Sequence, residues 1–285
     1  MRTLRTVAEV RAALRGPRRA GRTIGLVPTM GSFHAGHLSL MQRAREQCDE
    51  VVVSLFVNPT QFDQAADLSR YPRNEATDAL LASDAGVDYL FAPDVAEIYP
   101  AGFATTVTVA GITETLEGEH RGRGHFDGVV TVVTKLFNIV QADIAYFGQK
   151  DAQQARVIER LVRDLDIPVR IEICPTIREP DGLALSSRNA QLSPDERTRA
   201  LAISRALQAA EAAVAAGERD AEEVARTARA LMTSDGVEPE YLELVSTDTL
   251  APVRMIDDSV LVVIAAQIGA TRLIDNQIMA INGAT

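Results

Sequence analysis

The amino-acid sequence predicts an α/β protein that has a doubly wound parallel sheet and a smaller C-terminal α+β domain. Over the first 175 residues, short β-branched runs alternate with helical stretches, a pattern typical of a sheet covered by helices. Within this region Glu50–Val57 is almost continuously apolar, as expected of a parallel strand buried on both faces. After about residue 176 two helical stretches precede two strands, which indicates a separate α+β domain.

The elements of the first domain follow in regular order. An amphipathic surface helix is expected in the Arg-rich N-terminus, where apolar residues recur at helical spacing: Leu4, Val7, Val10 and Leu14. Strands are predicted at Thr23–Pro28, Glu50–Val57, Asp88–Ala92, Ile144–Phe147 and Val169–Cys174. Helices are predicted at His37–Gln47, Asn74–Ala85, Gly128–Val140 and Ala152–Asp164. This alternation predicts a Rossmann-like domain over residues 1–176.

The second domain is predicted to span residues 177–285. Its first helix has a clear start signal, because Ser193, Pro194 and Glu196 provide an N-cap, a proline at the first helical position and a capping box. Helices are expected at about 194–215 and 220–233, and the strands at Tyr241–Val245 and Ser259–Ala266.

Composition narrows the function classes. The formal charge of −10 disfavours a broad nucleic-acid surface, and no apolar run approaches the roughly 20 residues that span a bilayer. No apolar signal-peptide core follows the basic N-terminus, so a cytoplasmic location is expected. Cys48 and Cys174 form neither a CxxC motif nor a zinc spacing, which indicates two reduced, buried thiols.

The strongest local signal is the stretch Pro28–His37, which reads PTMGSFHAGH and joins a strand to a helix. Gly31 and Gly36 allow the backbone to turn and approach a ligand closely, and the following helix N-terminus suits phosphate. His34 and His37 lie on one helical face, where both could donate hydrogen bonds to phosphate oxygens. A buried structural pair of histidines is the alternative. Zinc is disfavoured because no third ligand is evident.

A second strand-to-helix turn carries the sequence FGQKDAQQ. Lys150 in this turn is one of only two lysines among 29 basic residues, the other being Lys135. A mobile ammonium at the carboxyl end of a sheet strand can follow phosphate charge during a reaction. Asp151 could cap the next helix, and this could be its whole role.

Two further loops carry polar groups. Asn58 and Gln61 follow a buried strand, and their amides can both donate to and accept from a small polar acid. Leu185–Asn189, LSSRN, offers two hydroxyls and a guanidinium, which suit a triphosphate. The alternative for the loop with Asn58 and Gln61 is an ordinary turn. The alternative for Leu185–Asn189 is a serine-rich surface turn.

Together these blocks resemble the pantoate–β-alanine ligase family of the HxGH nucleotidyltransferase superfamily. The matching blocks occur in the family's order over about residues 20–278: PTMGSFHAGHLSL, VNPTQF, RYPR, FGQKDAQQ, DGLALSSRN, LVSTDTL and TRLIDN. The resemblance implies that ATP and (R)-pantoate form pantoyl adenylate and pyrophosphate. β-Alanine then attacks the adenylate, giving pantothenate and AMP, and the C-terminal domain is expected to act as a lid.

The resemblance also implies site residues. His37, His34 and Lys150 are the expected catalytic groups, Gln61 and Gln154 the pantoate contacts, and Gln61 a β-alanine contact. The expected ATP contacts lie in four segments: Met30, Gly31, Ser32, Phe33, His34, Ala35, Gly36 and His37; Gly148, Gln149, Lys150 and Asp151; Ile177; and Leu185, Ser186, Ser187 and Arg188.

Three further expectations concern a metal ion, the oligomeric state and the stretch from His120 to His125. Mg²⁺ is expected on the triphosphate, with Asp78 as the candidate protein ligand, although some relatives have a pair of acids where this chain has Thr77 and Asp78. The resemblance implies a homodimer. The stretch from His120 to His125 is interpreted as a flexible loop near the site, with an ordinary solvated loop as the alternative.

Other function classes fit less well. An adenylyltransferase acting on a phosphate-ester cofactor precursor would share HxGH but should not carry both NPTQF and FGQKDAQQ. A class I tRNA synthetase is disfavoured by the chain's size and acidity and by the lack of a tRNA-binding domain. A non-catalytic ATP-sensing module would be expected to lose one of the His, Lys or Arg blocks, and all are present.

Overall fold

The structure is a computed structural model that describes residues 1–62 and 65–281, without the side chains of residues 65–67 and 123. The chain divides into two compact units. The first comprises Met1–Gly148 and Gln153–Pro175, and the second comprises Gln149–Ala152 and the chain from Thr176 onward.

A parallel sheet organises the first unit. In its described residues six strands lie in the order β1-β4-β3-β2-β5-β6. Their bounds are β1 (Arg2–Leu4), β2 (Ile24–Thr29), β3 (Glu50–Leu55), β4 (Tyr89–Phe91), β5 (Ile144–Gly148) and β6 (Arg170–Cys174). The predicted near-continuous apolar strand is β3, in which Val51, Val52 and Val53 are fully buried.

Helices connect these strands. They are α1 (Val7–Arg19), α2 (Ala35–Gln47), α3 (Ala65–Arg70), α4 (Glu75–Asp84), α5 (Val95–Ile98), α6 (Glu117–Arg121), α7 (Arg123–Val140) and α8 (Ala152–Asp164). On one face of the sheet Met41 and Ala44 of α2 and Ala82 of α4 pack against Val51 and Val53. Burial of these apolar side chains fixes α2, and therefore the turn that precedes it, against the sheet.

The second unit contains α9 (Pro194–Ala215), α10 (Ala221–Ser234), β7 (Pro239–Ser246), β8 (Val260–Ile268) and β9 (Thr271–Met279). In its described residues the three strands are antiparallel, in the order β7-β8-β9. Ala206 and Ala210 of α9 are fully buried in one cluster with Val262 and Ile264 of β8. The predicted capping box is present, since the Ser193 hydroxyl accepts the Glu196 N–H and the Glu196 carboxylate accepts the Ser193 N–H.

The predicted fold class is confirmed, and several details differ. Leu4 belongs to β1 rather than to the N-terminal helix, which begins at Val7. The stretch from His120 to His125 is mostly helical rather than a loop, because α6 ends at Arg121 and α7 begins at Arg123. Gly122, at φ 77°, provides the turn between them, and the glycines there had hidden the helical pattern. The elements α3, α5 and β9 were not predicted from the sequence.

None of the helices in the described parts of the chain is long and apolar enough to cross a membrane.

Candidate functional site

Two strands that are neighbours in the sheet lead into the two predicted phosphate-binding turns. β2 ends at Thr29 and β5 ends at Gly148, and the two strands pair directly. Strand order reverses between them, because β3 and β4 lie beyond β2 while β6 lies beyond β5. In open α/β sheets ligands bind beyond the carboxyl ends of the strands at such a reversal.

Residues Met30–His37, here called the HAGH turn, are held by a buried carboxylate. Asp78 on α4 is 2 % exposed, and its two oxygens accept the backbone N–H groups of Ser32 at 2.9 Å and Phe33 at 2.8 Å. A Cβ at Gly31 would lie 2.6 Å from Leu55 Cδ1 and 2.9 Å from Asp78 Oδ2, so only glycine fits there. Ser32 has a left-handed φ of 56°, a strained value that the Asp78 bond helps to maintain.

The two histidines are held by hydrogen bonds to backbone N–H groups of the turn. His34 is the N-cap of α2, and its Nδ1 accepts the Gly36 N–H at 3.2 Å, while His37 Nδ1 accepts the His34 N–H at 3.3 Å. Their ring centroids are 4.2 Å apart. Since a neutral imidazole that accepts at Nδ1 carries its proton at Nε2, both rings present an Nε2–H donor. The two rings lie side by side at the start of α2, and their role toward phosphate stays a prediction.

A buried amide network positions Gln61. Asn58 is 1 % exposed and donates to Gln61 Oε1 at 3.0 Å and to the Gly128 carbonyl at 3.1 Å. Its own Oδ1 accepts from the Tyr99 hydroxyl at 2.8 Å. Because the Gln61 amide oxygen is used in this way, Gln61 offers N–H donors to a ligand. His125 Nδ1 lies 2.8 Å from the Gln61 carbonyl oxygen, so α7 also supports this loop.

The two glutamines at the start of α8 have different roles. Gln153 is buried, accepts the Glu117 N–H at 2.9 Å and donates to the carbonyls of Ile112 and Thr115. Gln154, the predicted pantoate contact, is half-buried. The structure therefore separates a glutamine that holds the loop before α6 from one that remains accessible.

The residues Gln149–Asp151, here called the Lys150 turn, form one 3₁₀ turn within the second unit. Asn276 on β9 donates to the carbonyl oxygens of both Gln149 and Lys150 at 2.9 Å, and accepts from Gln149 Nε2 at 2.9 Å. The Lys150 side chain is 18 % exposed, with Nζ 3.5 Å from Asp151 Oδ1. Lys150 therefore stands on a backbone that β9 fixes.

The LSSRN segment lies beside Lys150 in a pocket of the same unit. Lys150, Ala184, Ser186, Arg188 and Asp275 are among the pocket's lining residues. Ser186 caps a 3₁₀ turn by accepting the Arg188 N–H at 3.3 Å, and the preceding Leu185 N–H donates to the Ile177 carbonyl at 2.9 Å. Five of the predicted ATP-binding residues thus belong to one local arrangement: Lys150, Ile177, Leu185, Ser186 and Arg188.

The ion pair between Arg178 and Asp275 holds the segment that leads into LSSRN. Arg178 donates to the two Asp275 oxygens at 2.5 and 3.1 Å and to the Gly182 carbonyl at 3.1 Å. Asp275 is 4 % exposed, so this bidentate pair is shielded on its acidic side. Sequence reasoning named the TRLIDN block only as a family match and assigned Asp275 and Asn276 no role.

Asp78 fits a structural anchor better than a metal ligand, since both of its oxygens already accept backbone N–H groups. Among the described residues, no group of three or more His, Cys, Asp or Glu side chains could hold a metal ion. The assignment of Asp78 to a metal stays a prediction.

Comparisons with known proteins agree with this geometry. Residues 2–278 match the family model described as pantoate-beta-alanine ligase. The pantothenate synthetase of Cereibacter sphaeroides is 53 % identical over 96 % of this chain and 98 % of that protein. That of Moorella thermoacetica is 52 % identical over 99 % of this chain and all of that protein.

Solved structures give the same result. The pantothenate synthetase of Thermus thermophilus superposes with a TM-score of 0.92 at 47 % identity, covering 97 % of this chain and 99 % of that one. A Francisella tularensis pantoate-beta-alanine ligase, complexed with beta-gamma ATP and beta-alanine, gives 0.78 at 34 % identity and 97 % coverage of both chains. The fold and site define an HxGH-type nucleotide-binding α/β protein. Within that class, the chain belongs to the pantoate–β-alanine ligase family.

Proposed function

We propose that this chain catalyses the ATP-dependent condensation of (R)-pantoate with β-alanine to pantothenate, through pantoyl adenylate, with release of pyrophosphate and AMP. The observation that carries this proposal is the HAGH turn, in which two imidazoles present Nε2–H donors at the N-terminus of α2. Membership of the ligase family supports pantoate and β-alanine as the two compounds that are joined. The Francisella relative, complexed with beta-gamma ATP and beta-alanine, supports the nucleotide and the amine.

In the first step a pantoate carboxylate oxygen attacks the α-phosphorus of ATP. The bond from that phosphorus to the bridging oxygen breaks, and the electron pair leaves on pyrophosphate. The Nε2–H groups of His34 and His37 donate to phosphate oxygens as negative charge develops, and His37 is the main donor. The other residues of the turn, from Met30 to Gly36, complete the ATP contacts on this side, and the absence of a side chain at Gly31 lets the turn pack against Leu55 and Asp78.

The Lys150 turn and the LSSRN segment act on the triphosphate. The Lys150 ammonium follows the charge that moves onto the leaving pyrophosphate, and Ser186, Ser187 and Arg188 bind its oxygens. Gly148, Gln149, Asp151, Ile177 and Leu185 complete the ATP contacts. Lys150, Ser186 and Arg188 line one pocket, which supports a common ligand for them.

Gln61 and Gln154 orient pantoate. Gln61 presents N–H donors because Asn58 holds its amide oxygen, and such donors suit a carboxylate or a hydroxyl. Gln61 then contacts β-alanine in the second step. There the amine of β-alanine attacks the adenylate carbonyl, the bond from that carbon to the phosphate oxygen breaks, AMP leaves, and the nitrogen loses a proton.

The adenylate stays non-covalently bound. Burial raises the pKa of the Cys174 thiol to about 11 and also raises the pKa of Cys48, so neither is a thiolate at neutral pH. Because the acyl phosphate is already activated, positioning and charge stabilisation are sufficient for the second step.

Mg²⁺ enters with ATP as part of the substrate and adds positive charge on the triphosphate.

We also propose that the chain forms a homodimer in the cytoplasm. Light scattering should then give a mass near twice 30.8 kDa, and a single species near 30.8 kDa at micromolar concentration would contradict the dimer.

Pyrophosphate release separates the proposed reaction from its alternatives. With ATP and pantoate alone, the chain should release a burst of about one equivalent of pyrophosphate per site, and added β-alanine should then yield pantothenate and AMP. The mass of the denatured, pantoate-loaded chain should be unchanged. Release with a phosphate-ester precursor instead of pantoate, ATP binding without release, or a stable adduct on the protein would each overturn the proposal.

A further inference from the structure

The polar dipeptide Asp275–Asn276 lies on β9 against the Lys150 turn. β9 is paired only with β8 in the described part of the second unit, so its other edge is available to a different partner. The Lys150 turn packs against β9. Both residues of the dipeptide are 4 % exposed, which is unusual for an acid and an amide without a structural or functional role.

The hydrogen bonds that the Asn276 side chain makes to described residues all fall on the Lys150 turn. Its amide nitrogen donates to two successive carbonyl oxygens, those of Gln149 and Lys150, and its amide oxygen accepts from the Gln149 side chain. One side chain therefore fixes both peptide units that flank the Lys150 Cα. A buried amide with satisfied hydrogen bonds holds a single geometry, because each lost bond leaves a polar group without water.

Asp275 holds the neighbouring segment. Its two oxygens accept from Arg178, and Arg178 also donates to the Gly182 carbonyl, so the turn before LSSRN is tied to the same point of β9. Arg178 further pairs through its backbone with Ala184, immediately before LSSRN. Lys150, Ser186 and Arg188 line one pocket. Asn276 thus fixes the side of this pocket that carries Lys150, and Asp275 fixes the side that carries Ser186 and Arg188.

We infer that Asn276 is a positioning residue for adenylation. It fixes the position of the Lys150 ammonium relative to Ser186 and Arg188. Asp275 fixes the position of the LSSRN segment through Arg178. This inference rests on the proposed function, in which Lys150 acts on the triphosphate. Asn276 contacts the backbone of the Lys150 turn and the Gln149 side chain rather than substrate, and its main effect is on the position of Lys150. Its effect belongs to the first half-reaction, because the triphosphate is gone once pyrophosphate leaves.

The test measures the two half-reactions separately. Adenylation is followed as first-turnover pyrophosphate release from ATP and pantoate, and aminolysis as AMP release from synthetic pantoyl adenylate with β-alanine. Asn276→Ala should slow adenylation at least about tenfold, since small misplacements of catalytic groups have effects of up to ~10²-fold. It should leave aminolysis within about twofold. The matched control Gln277→Ala, at a half-buried position one residue along β9, should leave both steps within about twofold.

A double-mutant cycle distinguishes positioning from general destabilisation. In a Lys150→Ala background, Asn276→Ala should slow adenylation by less than a further factor of about two, because Asn276 acts through Lys150. Equal losses in both half-reactions, or losses that multiply with Lys150→Ala, would overturn the inference, as would adenylation at the wild-type rate. If Asn276→Ala does not fold, Asn276→Ser makes the same test, since its single hydroxyl donor cannot bond both carbonyl oxygens and it adds no buried charge. Absence of pyrophosphate release by the wild-type chain would instead refute the proposed function.

Discussion

The HAGH turn and the Lys150 turn are both strand-to-helix turns that follow paired parallel strands, yet they are anchored differently. The HAGH turn is held within the first unit by its own histidines and by Asp78, which lies 46 positions from Ser32. The Lys150 turn groups with the second unit although the chain on both sides of it belongs to the first. Its anchor, Asn276, lies 126 positions further along the chain.

This difference implies that the two turns respond differently to distant substitutions. The HAGH turn should depend on residues of the first unit, above all on Asp78 of α4. The geometry of the Lys150 turn should depend on β9, an element of the smaller antiparallel sheet. Each of the following substitutions tests one side of this contrast.

Replacement of His37 by alanine should produce the largest effect. The variant loses the Nε2–H donor toward phosphate, and loss of such a donor lowers turnover by roughly 10²- to 10³-fold. Turnover is measured as pyrophosphate release with saturating ATP and pantoate. Gln42→Ala, on the exposed face of the same helix, is the control and should retain wild-type turnover. Near wild-type turnover of His37→Ala would remove His37 from the mechanism.

Lys150→Ala should slow pyrophosphate formation by about 10²-fold with little change in melting temperature, because its ammonium is partly exposed and faces the pocket. Lys135 is the comparison. Its ammonium lies 4.7 Å from the centroid of Phe103, so Lys135→Ala should affect stability rather than turnover. Mild and equal effects of the two substitutions on pyrophosphate release would show that Lys150 has no special role.

Asp78→Asn tests the anchor of the HAGH turn. An asparagine side chain has one oxygen for two N–H donors, so one backbone N–H would face an NH₂ group and stability should fall by about 1–3 kcal/mol. Chemical denaturation measures the loss. If Asp78 is only an anchor, the Mg²⁺ concentration for half-maximal activity should not change. A large rise in that concentration would support the metal assignment instead.

Much of the fold was predictable because its signals are local. The apolar strand β3, the bounds of α8 and the capping box of α9 each follow from residues within one element. The HAGH turn was predictable for the same reason, since its glycines and histidines are consecutive.

The parts that were missed depend on distant partners. β9 was not predicted because Arg272, Asp275 and Asn276 interrupt its apolar pattern, and two of them are buried only because Arg178 and the Lys150 turn satisfy them. Pairing between residues so far apart in the chain leaves no periodic trace in a single sequence. The role of Asn58 in fixing the Gln61 amide was hidden similarly, because it depends on Tyr99 and Gly128.

The smallest expected effect concerns Glu179, which supports the LSSRN segment from its other end. Hydrogen bonds from Arg197 lower the pKa of the Glu179 carboxyl below its ordinary 4.5, with a smaller contribution from Asn189 and against the opposing effect of burial. Asn189 Nδ2 donates both to Glu179 at 2.9 Å and to the Ala184 carbonyl at 3.0 Å. Protonation of Glu179 therefore weakens the contacts that hold LSSRN in place.

A lowered pKa in the folded state means that the unfolded chain takes up the proton first as the pH falls. The stabilisation is therefore complete above the ordinary carboxyl pKa of 4.5 and is lost as the pH falls through the lower folded value. Glu179→Gln should reduce the free energy of unfolding by no more than about 1 kcal/mol at neutral pH, because the pair is partly exposed. Urea denaturation of the wild-type chain and of Glu179→Gln should show that the difference in their free energies of unfolding shrinks below about pH 4. A difference that stays constant or grows on acidification would contradict the Glu179–Arg197 assignment, and Glu211→Gln, an exposed acid in the second half of α9, is the matched control.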